Sequence, residues 1–127
     1  MKTGALEFRH HSKLTEYPAA NAVTFTSTGA TETCPLTHPV VRVDATAEAI
    51  TTFTLPDGEE GQLLTLIGMH ANDTTITPTT STFIDSATLS VIGDQITLLY
   101  IDDTDGWMVI STLGVAQNAN PAYVVAT

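Results

Sequence analysis

Residues 49–112 read AITTFTLPDGEEGQLLTLIGMHANDTTITPTTSTFIDSATLSVIGDQITLLYIDDTDGWMVIST. Short apolar, Thr-rich runs are cut by turn residues. Leu55-Pro56-Asp57-Gly58 makes a turn, Asn72-Asp73 breaks the chain before 74–77, and 102–106 separates two apolar runs. Thr, Val and Ile are frequent, and such β-branched residues fit a pleated strand better than a helix. Strands this short, spaced by turn signals, predict an all-β fold, a small antiparallel β-sandwich or barrel.

Working outward, residues 62–69 (QLLTLIGM) are apolar at almost every position. That pattern predicts a central strand, covered on both faces or packed in an oligomer. Gly93-Asp94 reads as a two-residue hairpin between 87–92 and 95–101, and 107–112 pairs back on 95–101. In 50–55, Thr51, Phe53 and Leu55 are expected to face inward. Upstream, 22–28 and 40–45 alternate as strands, with Arg42 and Asp44 on one face as an exposed ion pair of little energetic weight. Residues 29–39 carry Gly29, Pro35 and Pro39 and read as loop. Residues 113–114 turn the chain toward a last strand at 122–126. No repeat of fixed period is evident, so a solenoid is not expected.

At 127 residues the chain is one domain with room for a real core. Its formal charge of −10 is unevenly distributed. Lys2, Arg9 and Lys13 lie at the start and Arg42 is the last basic residue, whereas acidic residues continue to Asp105. Phosphate backbones are bound through Lys and Arg, so the body of the chain is not expected to bind nucleic acid. No apolar run reaches the ~18 residues of a membrane helix, and no apolar stretch follows the N-terminal basic residues as in a signal peptide. The expectation is a cytoplasmically made product with no membrane partner.

Residues 1–21 differ from the rest. Their apolar residues show no helical or strand period and are too few to order the segment alone. They read as an extended docking arm ahead of a β domain at 22–127. Its anchors are Lys2, Leu6, Phe8, Arg9, His10, His11 and Lys13, basic and apolar groups suited to an acidic partner surface.

The patterns that could carry chemistry are weak. Asp102-Asp103-Thr104-Asp105-Gly106 looks like part of a calcium loop, but no Glu follows at the required offset. It reads as an acidic hairpin loop, with a surface cation site as the alternative. Cys34, the single cysteine, excludes an internal disulfide and reads as a small packed hydrophobe. His10, His11, His38 and His70 show no zinc spacing. Nucleophile-elbow and phosphate-loop motifs are absent, and Glu59-Glu60 sits in a solvated turn.

Taken together, 54–62 (TLPDGEEGQ), 73–78 (DTTITP), 88–100 (TLSVIGDQITLLY) and 106–110 (GWMVI) resemble a domain of tailed-bacteriophage virion proteins. That domain occurs in head decoration or cement proteins, head fibres and some tail-fibre segments. Its pattern is a turn LPDGxEGQ, a TxTP strand, a VGDxVTLLY strand and a GWxVI strand; here Ile92 replaces the usual Val. The resemblance spans about half the chain. It implies a homotrimeric, non-enzymatic scaffold without a cofactor, placed on the capsid exterior, with the major capsid protein as partner. In such proteins the variable end commonly docks on the capsid, which fits the basic arm. Two other readings stand beside it. A fibre or spike module recognising a host-surface glycan would need exposed aromatics, whereas Tyr100 and Trp107 are expected in the core. A small β-fold hydrolase has only the acidic residues in its favour.

Overall fold

Ten strands follow one another without an α-helix between them in a computed structural model that describes residues 21–120. They are β1 (Ala22–Thr26), β2 (Thr31–Thr33), β3 (Val40–Asp44), β4 (Ile50–Leu55), β5 (Leu63–Gly68), β6 (Thr74–Pro78), β7 (Ile84–Leu89), β8 (Gln95–Tyr100), β9 (Trp107–Leu113) and β10 (Ala116–Ala119). Sheet A has the order β1-β3-β5-β8-β9 and sheet B the order β10-β7-β6-β4-β2. The two open sheets pack face to face, which is the expected all-β sandwich.

The sheets are mixed rather than wholly antiparallel. From β1 to β6 the chain passes from one sheet to the other at every connection, so β1-β3-β5 and β2-β4-β6 pair in parallel. The last four strands close the stack with antiparallel pairs. The result is a ladder of rungs, each with one strand in either sheet: β1/β2, β3/β4, β5/β6, β8/β7 and β9/β10. The winding is solenoid-like in its first half, contrary to expectation. Ala22 pairs with Val40 and Val40 with Thr65, so successive turns differ in length and leave no period in the sequence.

Period-two alternation supplies the core. Val23, Val41, Leu66 and Ile96 form one inward row across sheet A, and Leu64, Leu98 and Val109 another. Sheet B answers with Phe53, Ile76 and Ala87, and with Ile50, Thr74 and Leu89. Apart from Thr74, a buried hydroxyl residue, they belong to one buried hydrophobic cluster or pack against it. Phe25 and Phe53 join the sheets through rings 5.1 Å apart. Phe53 and Leu55 point inward as expected, but Thr51 is exposed and Ile50 is buried in its place. A register shift between Ile50 and Phe53 inserts an extra residue and turns Ile50 into the core.

Gly93-Asp94 is not a two-residue hairpin, because β7 and β8 lie in different sheets. The carboxylate of Asp94 accepts the N–H groups of Ser90 and Val91 at 2.8 and 2.9 Å, and Gly93 adopts φ +98°. The turn is thereby folded across the sandwich edge. It is held against Gly68, whose N–H donates to Asp94 O and whose carbonyl accepts from Gly93 N. Two strands escape the sequence reading. β2 lies in the expected loop, and β10 precedes the expected last strand at 122–126, which lies outside the described residues. Arg42 does not pair with Asp44. Its Nε donates to Thr24 Oγ1 at 3.0 Å on the neighbouring parallel strand.

Candidate functional site

The segments that carry the phage-protein resemblance meet in space. Gly61 N–H donates to Tyr100 O and Tyr100 N–H to Gln62 O, so the turn after β4 is sewn to the end of β8. Gln62 also accepts the N–H of Glu59 through its Oε1 at 3.0 Å. The indole of Trp107 lies over Gly58, where a Cβ would sit 2.9 Å from the ring, and its Nε1 donates to Pro56 O at 2.9 Å. Tyr100 packs edge-on against Trp107, centroids 5.1 Å apart. Both rings are fully buried. This assembly is a structural knot: its polar groups are consumed by one another, and its aromatic rings offer no face to a sugar.

The acidic loop before β9 is similarly self-satisfied. Asp102 Oδ1 accepts from the N–H groups of Thr104 and Asp105 at 2.9 and 2.7 Å, an Asx-type turn. Asp103 accepts the hydroxyl of Tyr100 at 2.8 Å, and Asp105 that of Thr82 at 3.1 Å. Burial and the bond to Asp103 push the Tyr100 phenol from 10.0 up to about 12. Each carboxylate holds a different piece of the loop, rather than converging on one point. Among the described residues no three His, Cys, Asp or Glu side chains gather in a group that could hold a metal ion.

A depression of about 660 Å³ is lined by Leu36, Asp57, Gly58, Glu59, Glu60, Gly61 and Gln62. Three of its walls are carboxylates, Asp57, Glu59 and Glu60, and no His, Cys, Ser, Lys or Arg is among its lining residues. Cys34 is buried, and burial pushes its thiol from 9.0 up to about 12, which makes it inert packing, as its sequence setting implies. His70 accepts the N–H of Asn72 at 3.1 Å and terminates β5, and His38 bonds Thr37 at 2.8 Å. Glu32 fastens the β1–β2 turn. The N–H of Thr28, with that of Gly29, holds its carboxyl below the ordinary value.

The expected docking anchors Lys2, Leu6, Phe8, Arg9, His10, His11 and Lys13 lie outside the described residues. What the described residues do present is two unlike outer faces. On sheet B, Thr31, Thr33, Thr52, Thr54, Thr75, Thr77, Ser86 and Thr88 form a hydroxyl lattice, with Thr75 and Thr88 bonded at 3.2 Å and Asn118 donating to Ser86 at 2.9 Å. On sheet A, Leu63, Met108, Ile110 and Leu113 stand in solvent. The sequence signal for this second face was the doubly apolar run at 62–69. β5 is indeed central in its sheet, yet among the described residues its inward side alone is fully buried, and Leu63 on its outward side is exposed.

Among the described residues no helix is long and apolar enough to cross a membrane. Compared with known protein families the sequence matches none, and no curated protein matches it.

Proposed function

We propose that this chain is a structural virion protein of a tailed bacteriophage, which binds the outer capsid surface as a homotrimer and cements the head. The observation that carries the reading is the meeting of its four resembling segments. The LPDGEEG turn, the GDQITLLY strand and the GWMVI strand are bonded into one buried knot, and the TITP strand lies beneath the same core. Segments that resemble a scaffold domain therefore do scaffold work here. Support also comes from buried Tyr100 and Trp107, which are withheld from glycan stacking.

In this reading residues 1–21 dock on the capsid, and the β domain stands above as the clamp. Many identical weak contacts across a shell act together as one strong attachment. The test is co-sedimentation with purified capsids. The full chain is expected to pellet with them, and a chain lacking residues 1–16 to stay folded and remain in the supernatant. Equal pelleting of both would remove the arm from the proposal, and failure of the full chain to bind any head would remove the cement role.

A further inference from the structure

We propose that the outer face of sheet A, over β5, β8 and β9, is the surface through which copies of this chain associate; the inference rests on the homotrimer reading and assigns that assembly its face.

The face is built by strand register. Leu63, Leu99 and Met108 stand opposite one another in a single cross-strand row. The register shift between Thr97 and Leu98 leaves Ile110 as the extra residue of β9, and it emerges beside that row. Ile67, Gln95 and Leu113 form a second row, and Thr65, Thr97 and Ser111 the row between. Thr65 and Thr97 bond each other at 3.0 Å, so the middle row is already partly satisfied without water. Leu63 is 54% exposed, Ile110 49% and Leu113 61%, unusually high for large apolar side chains in the regular strands of a sandwich. From strand spacing and rise, three such strands cover about 14 Å by about 20 Å, with the apolar side chains in the two flanking rows and the hydroxyl row between them.

Charge identifies the occupant. Each copy carries −10, so two copies repel unless the contact itself is free of charge. β5, β8 and β9 contain no Asp, Glu, Lys or Arg, while the other half of the same sheet presents Arg42 and Asp44. The uncharged half is thus where another copy of an acidic protein can come close. A basic partner would instead be drawn to acidic surface, which this face lacks. The remaining chain is a poorer candidate. Residues 1–20 bring five charged side chains with them.

The experiment measures mass in solution by light scattering at high micromolar concentration, for the full chain, for Leu63→Glu combined with Met108→Glu, and for Thr75→Glu on the hydroxyl face. The expected result is a trimer for the full chain and for Thr75→Glu, and a monomer for the double variant with the near-ultraviolet dichroism of buried Trp107 retained. If the double variant loses that signal, Leu113→Glu takes its place, with the same expected loss of mass. A trimer unaffected by these glutamates overturns the face and leaves the threefold reading intact. A dimer that they dissociate keeps the face and overturns the threefold reading. A full chain that is monomeric overturns both.

Discussion

The indole nitrogen of Trp107 donates to the carbonyl of Pro56 across 51 residues of sequence, at 2.9 Å. The bond ties the first strand after the acidic loop to the turn that follows β4, and so ties sheet A to sheet B. Trp107→Phe keeps most of the apolar contact but strands the Pro56 carbonyl, an expected loss of about 1–3 kcal/mol. Trp107→Ala also opens a cavity, with an expected loss of about 3–5 kcal/mol. Urea unfolding followed by far-ultraviolet dichroism gives both numbers, and a Phe variant as stable as the parent would show that the bond contributes nothing net.

Gly106 sits at φ +67°, and a Cβ there would fall on the carbonyl of Thr80. Gly61 has a similar φ of +85° with open space around it. Gly61→Ala therefore meets only the left-handed backbone cost of about 1–2 kcal/mol. Gly106→Ala adds displacement of the backbone at 80–81, and its loss is expected to be at least twice as large. Thermal melts of the two variants side by side separate backbone strain from steric conflict.

Asp94 organises the crossing from β7 to β8. Asp94→Ala removes the one carboxylate oxygen, Oδ2, that accepts both the Ser90 and Val91 N–H groups, and charge-assisted bonds of this kind contribute about 1.5–3 kcal/mol each at most. The expected signature is local: amide exchange at 90, 91 and 93 accelerates more than exchange in β5 or β6. Uniform acceleration over all strands would instead mean that the turn and the core open together.

Alkaline pH should destabilise the fold with a definite sign. Cys34 and Tyr100 are raised from 9.0 and 10.0, each to about 12, by burial first, so the folded state holds their protons more tightly than the unfolded chain does. The associated stability is complete below pH 9 and is lost as pH rises toward 12. Tyr100→Phe should flatten the part of this decline that begins near pH 10. Denaturant midpoints recorded from pH 8 to 11 test it.

Calcium is expected to leave the melting temperature unchanged, since Asp102, Asp103 and Asp105 are each occupied by a different hydrogen-bond donor. Asp102→Ala should lower stability equally with calcium and with chelator, because it loosens the turn whether or not a cation is present.

The strand positions were legible because burial imposes alternation, and 40–44 and 95–100 show it plainly. The sheet to which each strand belongs was not. Gly93-Asp94 has the composition of a tight hairpin, and only the Asp94 carboxylate's grip on Ser90 and Val91, together with the contact to Gly68, sends β8 to the other sheet. Parallel pairing was hidden for the same reason: nothing local in 22–26 or 40–44 reveals that their partners lie a full turn away. β2 is only three residues long, and its one alternating apolar position is filled by Glu32, which serves the preceding turn. The self-satisfied acidic loop and the buried aromatics were readable from turn chemistry and from strand position. The exposed face of β5, β8 and β9 was foreshadowed by 62–69 alone: Met108 faces outward by ordinary alternation opposite Leu99, and Ile110 is the extra residue of a bulge that leaves no mark in composition.

The chain enters the ladder at β1, on its first rung, and leaves at β10, on its last. Its two ends are thus about 20 Å apart along the hydrogen-bonding direction, four strand spacings. A pull between them loads the backbone bonds of the terminal rungs end-on, in series rather than in shear. One copy alone would peel rung by rung at modest force, and its mechanical strength would then reside in whatever clasps the ladder from the side.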